Sequence, residues 1–93
     1  AERGRIEVYL QGSWQTVCSK NFSIEAANVV CQQRGWGKAF SYGTFYDSGT
    51  GMIGLVNVKC TGYEQSLIAC SYESTNVSSI CTHKDDVGVY CST

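Results

Sequence analysis

Six cysteines, at positions 18, 31, 60, 70, 81 and 91 of a 93-residue chain, constrain this sequence more than any other feature. A chain of this length makes one domain, and a domain so small buries only about two-thirds of the surface that its unfolded form exposes. Its core alone therefore stabilises it modestly, and secreted domains of this size use disulfides as the supplement. An even cysteine count reads as three bridges, with connectivity open among 15 pairings. Zinc is the competing use of cysteine. It calls for close pairs such as C-x2-C, whereas here no two cysteines are nearer than ten positions and His83 is the single histidine. Disulfides place the chain in an oxidising, extracellular compartment. Two N-x-[ST] triplets, Asn21-Phe22-Ser23 and Asn76-Val77-Ser78, agree with that and mark Asn21 and Asn76 as candidate glycan acceptors.

Charge excludes several classes of function. Seven basic and eight acidic residues are scattered along the chain. Nothing forms the basic footprint that nucleic acid requires, or the polybasic patch of a membrane-surface binder. No apolar run is long enough to cross a bilayer, and no leader precedes Ala1. The sequence reads as a mature fragment or an excised domain of a secreted or membrane-anchored protein.

Along the chain, residues 5–10 alternate, with Ile6, Val8 and Leu10 on one face and Arg5, Glu7 and Tyr9 on the other, which predicts a half-buried strand. Gln11-Gly12-Ser13 is a turn signal and residues 14–18 read as the returning strand. Ser23 is a helix cap with Glu25 in the first turn, and Gly35 suits the position past the helix end. This predicts a helix over 24–34 with Ile24, Ala27, Val30 and Cys31 facing the core. Residues 36–52 hold several glycines and aromatics without a period and read as a long loop. Strands are expected at 53–59 and 86–91, and a helical turn at 66–70. The class is α+β.

Several stretches together resemble the scavenger receptor cysteine-rich family. Gly4-Arg5-Ile6-Glu7-Val8, then Gly12, Trp14 and Thr16-Val17-Cys18, are similar to G-R-V-E-V…G-x-W-G-T-V-C. Val30-Cys31-Gln32-Gln33-Arg34-Gly35 is similar to V-C-R-Q-L-G. Gly49-Thr50-Gly51, Ile53, Leu55, Asn57-Val58, Cys60, Gly62, Glu64, Ser66-Leu67 and Cys70 follow G-x-G-P-I-W-L-D-N-V-x-C-x-G-x-E-x-S-L-x-x-C. Cys81, His83, Asp85-Asp86, Gly88-Val89 and Cys91 follow C-x-H-x-E-D-A-G-V-x-C. The resemblance spans nearly the whole chain in order, so residues 1–93 are expected to form a single domain of this kind. It implies a small disulfide-stapled α+β fold, a curved and mainly antiparallel sheet cradling one α-helix. It also implies the pairs Cys18–Cys81, Cys31–Cys91 and Cys60–Cys70. A fourth bridge of some members would use the positions of Glu2 and Trp36, and both partners are absent together.

Many relatives bind ligands through a cation held by two acidic residues after the first cysteine, an acidic residue of C-x-H-x-E-D, and the aspartate of L-D-N-V. Here those positions carry Ser19-Lys20 and Val56, and Asp85 and Asp86 remain. Carboxylate number governs calcium affinity, so no metal or other cofactor is expected. Lys20 is expected beside Asp85 or Asp86, a built-in charge where relatives hold an ion. Nothing in the sequence marks an enzyme: G-x-S-x-G is absent, bridged cysteines offer no thiolate, and the glutamates are dispersed. Tyr42, Phe45 and Tyr46 are candidate ligand contacts, since tyrosine is enriched at interfaces, and Lys20, Asp85 and Asp86 are candidate contacts too, while Trp36 and Phe40 are expected to fill the core. The reading is a module that recognises a protein or glycan ligand, with protein favoured and calcium not required. The alternatives are a cation-dependent scavenger of polyanionic or microbial ligands, and a noncatalytic module of a secreted enzyme.

Overall fold

The first extended run of the chain serves two sheets. In the computed structural model, which describes residues 2–44, 49, 51–74 and 77–92, β1 (Glu2–Arg5) ends one residue before β2 (Glu7–Leu10) begins. β1 pairs antiparallel with β7 (Gly88–Cys91), and β4 (Ala39–Gly43) takes the other edge of β7. β2 turns back on β3 (Ser13–Val17), β3 runs parallel to β5 (Ile53–Lys59), and β6 (Ser71–Glu73) closes that sheet antiparallel to β5. The result is a three-stranded sheet β1-β7-β4 and a four-stranded sheet β2-β3-β5-β6. The single strand expected over 5–10 is thus divided at Ile6, while its alternation holds. Ile6 is buried and its N–H donates to Val87 O at 2.9 Å. This anchor keeps the chain on β7 up to residue 6 and frees it to pair with β3 from residue 7.

The β2–β3 turn is Gln11-Gly12, with φ of 51° and 83°. Two successive left-handed residues make the two-residue turn whose twist matches paired strands. The helix α1 (Ile24–Gln33) begins where Ser23 Oγ accepts from Ala26 N at 3.3 Å. It ends where Gly35, at φ 74°, donates to Gln32 O, and Trp36 N donates to Cys31 O at 2.8 Å. These two bonds satisfy carbonyls that the helix end leaves open, and a left-handed residue is needed to make both.

The face of α1 that enters the core differs from the expected one. Ala26, Ala27, Val29 and Cys31 are buried, while Ile24 stands 37 % exposed and Val30 is half-buried. Small residues let the helix lie close to β4, β7 and β5, and periodicity alone did not weigh Ala26 against Ile24. Leu55 and Val58 of β5 join Val17, Val87 and Val89 beneath it, and full burial of each such side chain stabilises by about 1.5–3 kcal/mol. On β5, Ile53 and Val56 belong to a second cluster with Cys18, Val77 and Cys81. Asn57, at φ 55°, sits where the β5–β6 register shifts, and this bulge lets neighbouring residues serve both clusters.

Three disulfides fasten these parts. Cys18–Cys81 ties the end of β3 to the segment before residue 83, Cys31–Cys91 ties α1 to β7, and Cys60–Cys70 closes the loop after β5. The turn expected at 66–70 is a 3-10 turn, Leu67–Ala69. The loop expected over 36–52 contains a strand instead, β4, paired along one edge of β7. Its Phe40 is 60 % exposed and lies on Tyr90 at 5.6 Å, so it does not fill the core, whereas Trp36 packs against the core edge.

Candidate functional site

The segments on either side of Cys18–Cys81 meet as main chain. Ser19 N donates to Asp85 O at 2.7 Å, and Cys18 bridges to Asp86 in antiparallel fashion. This brings together the positions at which relatives were expected to hold a cation. Residues 82–86 form a 3-10 turn whose cap uses one of the two carboxylates: Asp85 Oδ2 accepts from Thr82 N at 3.0 Å.

Asp86 is 3 % exposed, and its Oδ2 accepts from Gly49 N and from His83 Nδ1, both at 2.8 Å. The other ring nitrogen of His83 reaches Gly51 O at 2.8 Å. Both of its partners are acceptors, so the ring fits best as an imidazolium donating twice. The hydrogen bond to Asp86, and then that to the Gly51 carbonyl, raise the His83 pKa above 6.5. Asp86 Oδ2 therefore holds Gly49 and, through His83, Gly51, while Asp86 Oδ1 is buried with no hydrogen-bond partner among the described residues. Gly49 must be glycine for this to work, since a Cβ there would lie 2.7 Å from Thr16 Cγ2 and 2.9 Å from Asp86 Oδ2.

The remaining members of the constellation are unlike cation ligands. Val56 is fully buried in the cluster with Cys18, Ile53, Val77 and Cys81, a place that an aspartate would enter only at a large desolvation cost. Lys20 is exposed, and although its segment lies against residue 85, it forms no ion pair with Asp85 or Asp86 within 4 Å among the described residues. The Asp85 carboxylate approaches the sulfurs of Cys18 and Cys81, but both are in the disulfide and neither is a thiolate.

The other candidates fall elsewhere. Tyr42 is half-exposed: its hydroxyl donates to Phe22 O at 3.2 Å and its ring meets Phe22 edge-on at 5.5 Å, which fixes it against the domain. Phe45, Tyr46 and Asn76 lie outside the described residues. Asn21 is exposed at φ 59°, and its Nδ2 donates to Asn57 Oδ1 at 2.6 Å. Sequence reasoning missed a different aromatic surface. Tyr9 and Trp14, 58 % and 63 % exposed, face each other across the hairpin with rings 5.2 Å apart. The signal was present: Tyr9 is on the outward face of the alternation, and a two-residue turn at 11–12 pairs it with Trp14.

Comparison with known proteins agrees over nearly the whole chain. The family model for the scavenger receptor cysteine-rich domain matches residues 1–92. Lysyl oxidase homolog 2 of Rattus norvegicus is 47 % identical over 91 residues, covering 96 % of this chain and 12 % of that protein, and the Homo sapiens protein of the same name is 46 % identical over the same length. The chain thus spans about an eighth of the length of these curated relatives. Among solved structures, the dimeric form of the SRCR domain of mouse MARCO superposes with a TM-score of 0.80 at 41 % identity, covering 98 % of this chain and 87 % of that one. The third SRCR domain of murine neurotrypsin gives 0.81 at 36 % identity, covering 96 % and 84 %.

Proposed function

The chain belongs to the scavenger receptor cysteine-rich family, and from that premise we propose that residues 1–93 are one binding module of a larger protein, recognising a protein partner without calcium. Domains of this family are extracellular and noncatalytic. The observation that carries the calcium-independent reading is the use already made of the acidic groups. Asp86 holds Gly49 and His83, Asp85 caps its own turn, and Val56 is core. Calcium prefers six to eight oxygen ligands with several carboxylates among them, whereas this edge offers two carboxylates, and the Asp86 oxygen that has no hydrogen-bond partner, Oδ1, is buried. Lys20 adds a positive charge to the same edge and disfavours a divalent ion there.

In this reading Tyr42, on β4, is a contact candidate, Phe45 and Tyr46 are further candidates from the sequence, and Lys20 is a fixed charge. N-glycans on Asn21 and Asn76 would shield the Cys18–Cys81 edge. Mass spectrometry of the domain secreted from animal cells, with both asparagines unmodified, would remove the shielding. The relatives named lysyl oxidase homolog 2 favour one parent context, a noncatalytic module within a secreted enzyme. The test of recognition is a binding screen of the tagged domain against displayed extracellular proteins, run with calcium and with a chelator. The expected result is a protein partner retained equally in both. Binding abolished by the chelator would contradict the reading.

A further inference from the structure

The free edge shared by β1 and β2 is lined as a groove. Ile6, Glu7, Val8 and Tyr9 follow one another along a cleft of 290 Å³ whose opposite wall is α1 and the Leu67–Ala69 turn. Side chains from both faces of β2 reach this cleft, Val8 from the core side and Tyr9 with Trp14 from the outer side. A cleft touched by both faces of a strand runs along its edge. A second cleft of 220 Å³, reaching from Gly4 to Trp36, shares Ile6, Glu7, Val30 and Arg34 with the first, so the two form one channel.

The main-chain parity along this edge is fixed from two sides. In a hairpin with a two-residue turn, the residues flanking the turn are hydrogen-bonded to each other, and bonded and unbonded pairs then alternate. Leu10 pairs with Ser13, so Leu10 and Val8 face β3, and Tyr9 and Glu7 direct their N–H and C=O groups into the channel. The bond from Ile6 N to Val87 O sets the same parity at the other end. Nothing among the described residues takes the outward positions of β2, which is the terminal strand of its sheet. Such a row of groups pairs with another extended chain.

The wall supplies a charge. The Arg34 guanidinium lies over the Trp36 ring, 5.0 Å from its centroid, and has no carboxylate within 4 Å among the described residues. We propose that this channel is a docking site for an extended peptide segment of a protein partner, which adds a strand to β2 through Glu7 and Tyr9 and sets an acidic side chain on Arg34. Apolar residues of the segment face Val8, Val30 and Leu67, and its opposite side meets the Tyr9–Trp14 pair. The helix wall over the edge admits a bare strand more readily than the sheet of a second folded copy. The channel lies across the three-stranded sheet from β4, because β1 and β4 are its opposite edges. The inference deepens the reading of a protein-binding module, since it names the segment's conformation and charge.

The test uses the intact, 15N-labelled domain and a capped hexapeptide alternating valine and threonine around one aspartate. The expected result is amide shifts centred on Glu7, Tyr9 and Arg34. N-methylation of alternate peptide nitrogens should abolish them, and aspartate replaced by lysine, or Arg34→Ala in the domain, should weaken binding about two- to fivefold, as loss of one exposed ion pair does. No shift at millimolar peptide, or equal shifts from the N-methylated peptide, overturns the proposal. A concentration-dependent dimer that shifts Tyr9 without peptide assigns the edge to a second copy and likewise overturns it. If the partner from the screen shifts Tyr42 and leaves Tyr9 unmoved, the channel fails while protein recognition stands. If the peptide binds here but the natural partner needs calcium, the channel stands and the calcium-independent reading fails.

Discussion

Replacing Cys31 and Cys91 together by alanine should destabilise the domain more than replacing Cys60 and Cys70, by about 1.5–2 kcal/mol. The chain-entropy model assigns a bridge a stabilisation that grows with the loop it closes. Cys31 and Cys91 are 60 positions apart and Cys60 and Cys70 are 10 apart, which taken alone gives about 4.3 against about 2.7 kcal/mol. The bridges interleave, however. With Cys18–Cys81 intact, the shortest covalent path from Cys31 to Cys91 runs back to Cys18, across, and on from Cys81. That path is about 24 residues, so the entropic loss falls to about 3.5 kcal/mol and the margin to about 0.7. Packing supplies the rest. Cys31 and Cys91 are fully buried in the main cluster, whereas Cys60 is half-buried at its rim. Each buried sulfur removed costs about 1 kcal/mol, on the scale of a buried methylene with its residual cavity. Against a total of about 5–14 kcal/mol for a chain of this length, both losses are a large fraction, and the first variant should unfold at the lower denaturant concentration. Guanidinium denaturation followed by the fluorescence of Trp14 and Trp36 measures both, with slopes fitted separately because a freed loop enlarges the surface exposed on unfolding. Equal losses, or a larger loss for the short bridge, would refute the reasoning.

Gly54→Ala should cost about 1–3 kcal/mol in the same assay, because its Cβ would lie 2.9 Å from the Cβ of the buried Gln15 and closer still to its Oε1; unchanged stability would contradict the β3–β5 packing. His83 has its pKa raised by Asp86 and the Gly51 carbonyl, so its contribution is fully present below about pH 6.5 and is lost as pH rises through the raised value. Stability should therefore decline as pH rises from about 6.5 through the raised His83 pKa in the wild type, and His83→Gln should flatten that decline; an unchanged profile in the variant would show that the two hydrogen bonds do not favour the charged ring.

The fold was legible where local chemistry decides it. Ser23 and Gly35 bound the helix because one offers a hydroxyl to a free N–H and the other tolerates φ 74°. The alternation from Arg5 to Leu10 gave the strand faces, but the division at Ile6 depends on a partner 81 residues away in sequence, Val87, and no local pattern encodes that. β4 was hidden among glycines for the same reason, since its pairing with β7 is what makes it a strand. The rotation of α1 escaped periodicity because alanines carry little hydrophobic signal and are buried for their size. At the site, the replacement of acidic positions by Ser19, Lys20 and Val56 was readable, and so was the nearness of residues 18–20 to 85–86 once the bridge is granted. The ion pair expected of Lys20 with Asp85 or Asp86 does not form among the described residues, because an exposed lysine gains too little from a carboxylate to fix its geometry. The channel beside Tyr9 was invisible, as it is made from the edge of one strand and the end of a helix brought together by the tertiary fold.

Calorimetric titration with calcium tests the account most directly. Ser19 and Lys20 lie on the surface side of the Cys18–Cys81 edge, so Ser19→Asp with Lys20→Asp adds two carboxylates without disturbing the core, and Val56 is left in place because it is fully buried. The wild-type domain should give no saturable heat at millimolar calcium, and the double variant should bind measurably, since it supplies ligands and removes the competing charge. Saturable, submillimolar binding by the wild-type domain would contradict the account, because it would mean that the two carboxylates of Asp85 and Asp86 suffice to hold an ion beside Lys20.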